Sequence, residues 1–172
     1  MQTLTEALKT VRWGLILSLL AICFGFALGG AFGAAEESFK GYLQSEGEMA
    51  LASIYAHDSE KMQAVVSKSW TYFKRAHMHG SGIGTSTLAV SLLLAGLTGA
   101  ASLRALVAAG LGLGALGYSV FWLLAGMRAP GLGGTGAAKE SLSWLAVPST
   151  GLLLLGLLTT LCLTGWSLWR KN

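Results

Sequence analysis

The chain has 172 residues, of which 53% are hydrophobic and only 12% charged, with 24 Gly, 2 Pro and a formal charge of +4. A soluble domain carries about twice that charged fraction, so this composition, with its mean hydropathy of +0.59, excludes an ordinary water-soluble globule. The positive balance does not indicate a nucleic-acid partner, because the basic residues fall at the ends of apolar runs instead of forming a patch with interleaved aromatics.

Uncharged runs extend from Trp13 to Ala35, Ala76 to Leu103, Ala105 to Met127 and Ser141 to Trp169. Each is long enough to cross about 30 Å of hydrocarbon as a helix. A single charge at mid-membrane costs on the order of 3 kcal/mol, so clean gaps bounded by charges mark spans. The pattern predicts an all-α integral membrane four-helix bundle forming one domain, with spans near 12–34, 82–101, 104–126 and 144–168. A helical segment over 36–81 is expected outside the membrane, between spans one and two.

The first span has a basic lead (Lys9, Arg12), an apolar core and the small residues Gly33, Ala34 and Ala35. This combination is that of a signal peptide with a cleavage site, but the apolar run is long for one and a retained anchor is expected. The short segments on one side hold Lys9, Arg12, Arg104, Arg170 and Lys171 against the single acid Glu6. On the other side, 36–81 and 128–143 carry seven basic residues and seven acids. The positive-inside rule then places both termini in the cytoplasm and the long segment outside, as in a bacterial inner membrane.

Within the first span Gly25, Gly29 and Gly33 recur every four residues; Ser91, Ala95 and Gly99 do so in the second, and Gly110 and Gly114 in the third. Such spacing lines up small residues and lets helix backbones approach closely, in a tight bundle or a tight subunit contact. Cys23 and Cys162 fall in apolar spans, where they act as filling. Two stretches spell a dinucleotide-type glycine pattern, Gly112–Gly114–Gly117 and Gly131–Gly133–Gly136. Neither follows a strand, so neither is expected to cradle a pyrophosphate.

In the outer segment Asp58 is a suitable N-cap. After it Met62, Val65, Val66, Ser69, Phe73, Ala76 and Gly80 share one face at 3.6 periodicity, with Lys61, Lys68, Lys74 and Arg75 on the flanks or back. A helix is expected to begin outside the membrane and run into span two, provided Gly80, Gly82 and Gly84 do not break it. At about 100° per residue His77 and His79 point roughly 160° apart. His77 falls with Val66, Trp70 and Phe73 on the inward stripe near the outer surface; His79 falls nearer Lys61 and Lys68, as an interfacial residue or a partner to a site.

The run Arg75-Ala76-His77-Met78-His79, preceded by a polar outer segment and followed by a Gly-rich apolar span, resembles the start of the second helix in haem-copper oxidase and nitric oxide reductase catalytic subunits. It is similar also to small four-span membrane proteins thought to be related to the first helices of those subunits. The specific part of the likeness is about ten residues. In that superfamily a histidine at the outer end of the second helix ligates haem, and the matching position is His77. No counterpart of the later helices, the copper-ligand histidines or any histidine in spans three and four is present, so oxygen or nitric oxide reduction is not implied.

A low-spin haem b on His77 needs a second axial ligand. Met127, His57, Met62 or a partner subunit are the candidates, with Lys74, Arg75 and Arg128 placed to pair with propionates. A metal site using His77, His79 or His57 is a further alternative, and so is a His77 that merely satisfies a hydrogen bond. No acid lies within a span and no hydroxyl has a recognisable partner base, so the chain is not expected to be an enzyme by itself. Two functions stay open. One is a b-type haem protein or electron-transfer subunit of a respiratory or energy-converting complex, using a quinol or an outer-side electron carrier. The other is a cofactor-free accessory subunit packed against other membrane subunits or a second copy of itself.

Overall fold

A computed structural model describes residues 3–169. Among them the chain is helical throughout, with six helices: α1 (Leu4–Thr10), α2 (Arg12–Met49), α3 (Ser59–Gly96), α4 (Ala101–Arg128), α5 (Thr135–Glu140) and α6 (Ser143–Trp169). α2, α4 and α6 are long and apolar enough to cross a membrane. The predicted segment 82–101 falls in the C-terminal half of α3, which His79, Ser81, Thr85, Ser86, Thr87 and Ser91 make less apolar than the other three. Its predicted end overshoots, because 97–100 is a non-helical link and Ala101 already opens α4. Arg170 and Lys171, two of the charges used for orientation, lie outside the described residues.

α2 does not stop where its apolar run stops. It bends at Ala35 (φ −140°, ψ 34°), next to Gly33 and Ala34 where no side chain exceeds a methyl group, and continues to Met49. α3 returns antiparallel as one unbroken helix, its first turn closed by the Asp58 carboxylate accepting from the Lys61 amide at 2.9 Å. Gly80, Gly82 and Gly84 do not interrupt it.

α2, α3 and α4 pack mutually, and α6 lies on the far side of α4 with few contacts elsewhere. At one end Val11, Leu94, Ala108 and Leu111 are fully buried together. At the other, Phe32, Phe39, Trp70 and Phe73 form an aromatic layer with centroids 5.2–6.0 Å apart. The tip of the α2–α3 hairpin buries Ala50, Tyr55 and Met62. There the Tyr55 hydroxyl donates to the Pro130 carbonyl at 2.7 Å, tying the α4–α5 turn to the hairpin.

Arg104 takes a different role from the free loop charge expected of it. It is buried, and Nη1 donates to the Leu94 and Ala95 carbonyls at 3.3 and 2.9 Å. Both carbonyls belong to the last turn of α3, where that of Leu94 also accepts from the Leu97 amide at 3.4 Å, and a long cationic side chain is suited to satisfying such terminal acceptors. Cys23 and Cys162 are both free and exposed.

Candidate functional site

His77 and His79 lie on opposite sides of α3, as the helical period requires, and each meets a different neighbour. His77 faces α2. Its Nδ1 is 2.7 Å from the Gly25 carbonyl oxygen, and since a carbonyl only accepts, Nδ1 carries the proton, which in the neutral ring leaves the lone pair on Nε2. The ring lies against the backbone at Gly29, where a Cβ would come within 2.5 Å of Cε1 and 2.7 Å of Nδ1.

The glycine spacing explains this placement. A Cβ at Gly80 would sit 2.8 Å from the Gly25 Cα, one at Gly25 would strike the backbone at Gly80 and Ser81, and one at Gly84 would press on Ile22. Of the three glycines that could have broken α3, Gly80 and Gly84 sit in the close contact with α2, while nothing lies within 4 Å of a Cβ at Gly82. Nothing lies within 4 Å of a Cβ at Gly33, so only two of the three periodic glycines in α2 serve the seam.

His79 faces α4. It is half-buried against α4, with ring centroids 5.2 Å from Tyr118 and 6.0 Å from Trp122. The flank of α3 that carries exposed Lys61 and Lys68 near the hairpin tip is covered by α4 at this depth. Arg75 joins the same cluster, its guanidinium 4.8 Å from the Trp122 ring centre and 5.3 Å from that of Tyr72. Tyr118 and Trp122, spaced one turn apart in α4, were not singled out in the sequence; their i, i+4 spacing is the one signal they carry.

The remaining candidates are scattered. Met127 packs in the aromatic layer with Phe73 and Leu123 and lines an apolar cavity that His77 does not line. His57 sits at the hairpin tip with positive φ (63°), and the α3 helix from Ser59 to His77 alone measures about 27 Å. Met62 is at that tip too, against Gly47. Arg128 donates to the Ser141 hydroxyl at 3.3 Å, and Lys74 is exposed.

Two axial ligands for one haem must face each other across a single gap. Within one copy the candidates have different neighbours: His77 turns toward α2, Arg75 toward α4, Met127 packs in the aromatic layer and His57 sits at the hairpin tip. His77 and His79 likewise diverge, and among the described residues no three His, Cys, Asp or Glu side chains converge as metal ligands would. The Gly112–Gly114–Gly117 pattern is spent on packing, with a Cβ at Gly112 reaching Leu17 and one at Gly114 reaching Ser149 and Leu153. Gly133 (φ 72°) turns the α4–α5 link beneath Ile54.

Comparison with protein families, with curated proteins and with solved structures found no match to this chain.

Proposed function

We propose that the chain is a four-span membrane protein acting as a cofactor-free accessory subunit of a larger membrane assembly, with His77 as the lock between its first two spans. The observation that carries this is the His77–Gly25 hydrogen bond at 2.7 Å, which ties one nitrogen of the imidazole to α2 inside a seam closed by glycine. Register supports α3 as the fourth span: Gly80 is level with Gly25 and Thr87 with Ser18, so its lower half lies at the depth of the apolar run of α2. Its hydroxyls are compatible with lipid, because Ser81, Thr85 and Ser86 donate to carbonyls four residues back at 2.7–3.0 Å.

A subunit partner is supported by the faces left open. α2 exposes Cys23, Ala27, Gly30 and Ala34 at helical spacing, and nothing lies within 4 Å of a Cβ at Gly30. Small outward residues of this kind suit close helix association in lipid. Native electrophoresis after mild solubilisation tests the reading: a colourless protein in a complex larger than itself, released by Gly30→Leu, is expected. A stoichiometric Soret band in the purified protein would overturn it.

One observation favours the b-type haem alternative. With the Nδ1 proton held by the Gly25 carbonyl, Nε2 is set up as a metal ligand, a common arrangement for ligating histidine. The second ligand would then come from a partner chain, and the haem would exchange electrons with a quinol or an outer-side carrier. His77→Ala would abolish the absorbance in that case and His79→Ala would keep it. Cysteine labelling at Ser45 and at the C-terminus tests the topology; modification of both from the same side is incompatible with four spans and cytoplasmic termini.

A further inference from the structure

Two adjoining cavities that share Tyr42 and Met127 lie between α2 and α4, from below the bend at Ala35 to beyond it. The lower, about 360 Å³, is apolar and lined by Leu28, Phe39, Phe73 and Leu123; it runs from Leu28 to Tyr42, about 21 Å of helix. The upper, about 470 Å³, lies toward the end of α4 and is lined by Tyr42, Glu46, Arg128 and Ser141. Glu46 and Arg128 thus face one cavity with opposite charges, yet among the described residues no ion pair joins them or pairs either with another group. Each volume lies in the range of small-molecule sites, which are mostly apolar with a few placed polar groups.

We propose that these cavities hold one phospholipid with a zwitterionic, primary-amine headgroup, its phosphate on Arg128, its ammonium on Glu46 and an acyl chain in the apolar slot. The unpaired charges carry the choice. A headgroup with one anion and one cation satisfies both, whereas an anionic glycerol headgroup leaves Glu46 opposed. A trimethylammonium head offers Glu46 no N–H to accept. The guanidinium fork suits phosphate oxygens. The apolar slot straddles the membrane edge, with Leu28 and Leu123 in the apolar runs of α2 and α4 and Phe39 and Phe73 just outside those of α2 and α3, and the polar cavity lies next to it at the end of α4, so the inference rests on the membrane placement proposed above.

The test is lipid titration of the purified, detergent-solubilised chain by native mass spectrometry, with phosphatidylethanolamine, phosphatidylglycerol and phosphatidylcholine of matched acyl chains. Wild type is expected to prefer phosphatidylethanolamine over each of the others by about tenfold, the worth of one charge-assisted hydrogen bond. Glu46→Gln should erase that preference while keeping phospholipid binding, and Arg128→Gln should weaken all three. Leu123→Trp, which fills the slot and leaves both charges in place, should reduce occupancy without changing the order. Equal affinity for the three lipids, or an order unchanged by Glu46→Gln, overturns the proposal. Recovery of the chain in the aqueous fraction without detergent would instead sink the membrane placement, so the two failures are distinguishable.

Discussion

α2 makes two kinds of contact along its length. Below Ala35 it meets α3 through Gly25, Gly29, Gly80 and Gly84, so closely that an added Cβ would strike backbone or the His77 ring. Around and above Ala35 it meets the bundle through Phe32, Phe39 and Leu43, and a cavity lined from Leu28 to Tyr42 opens toward α4. Small residues let helices close in lipid, where apolar area supplies no drive for association. Large aromatic residues hold them apart and leave space between their rings. The lower seam is therefore suited to rigidity and the upper gap to a ligand.

The strongest way to break this contrast is to put a side chain into the closed seam. Gly80→Leu or Gly25→Leu should destabilise the fold by about 3 kcal/mol or more, since backbone and not a movable side chain stands in the way. Gly82→Leu, with nothing within 4 Å of its Cβ, should cost little. Unfolding in mixed micelles monitored by circular dichroism would measure both. Comparable losses for Gly80→Leu and Gly82→Leu would show that the seam is not where the helices close.

A sharper test couples the histidine to the glycine beneath it. Gly29→Ala should cost about 1–3 kcal/mol in the wild type, because the Cβ meets the imidazole. In a His77→Ala background the same change should cost close to nothing, and the difference is the coupling energy. Additive losses would mean that His77 does not rest on Gly29.

Much of this organisation could be read from residues alone. The Asp58 cap, the stripe from Met62 to Gly80 and the divergence of His77 from His79 follow from the helical period, which a continuous helix obeys. The role of Gly25 and Gly29 was legible as close approach, but not what approaches, since spacing shows a face and not its partner. Three features were out of reach for the same reason. Arg104 reads as a loop charge until the end of α3 is placed beside it. His79 reads as interfacial, and its aromatic neighbours show only once α4 is placed beside it. That the helical segment expected from residue 36 continues α2 itself is hidden, because a polar helix lacks the apolar run that marks a span.

The hairpin tip offers a milder perturbation in the open half. Tyr55 is buried with its hydroxyl on the Pro130 carbonyl, and burial raises its pKa above the ordinary tyrosine value. A raised folded-state pKa means that the neutral form is favoured in the fold, so this contribution is complete below about pH 10 and is lost as pH climbs through the folded value. Tyr55→Phe should weaken the attachment of the α4–α5 turn by about 1 kcal/mol. Hydrogen exchange should then quicken around 130–134, and the wild type should approach the variant in strongly alkaline buffer. An exchange rate indifferent to both changes would show that the tie contributes nothing.

The smallest expected effects return to the closed seam and ask whether its polar groups matter. Ser18 donates to the Thr87 hydroxyl at 3.0 Å, and Thr87 donates onward to the Gly84 carbonyl at 3.0 Å. One turn further along α3, Ser91 is fully buried with a hydroxyl that has no partner among the described residues. Side-chain hydrogen bonds between membrane helices average about 0.6 kcal/mol, because the separated helices find other partners. Ser18→Ala should therefore cost about that much, while Ser91→Ala should be neutral or slightly stabilising, since it removes an orphaned polar atom. Both residues are buried at the same seam, so similar size and burial cannot account for opposite signs. If Ser91→Ala proves as costly as Ser18→Ala, the Ser91 hydroxyl has a partner in the folded protein and the seam is more polar than its glycines suggest.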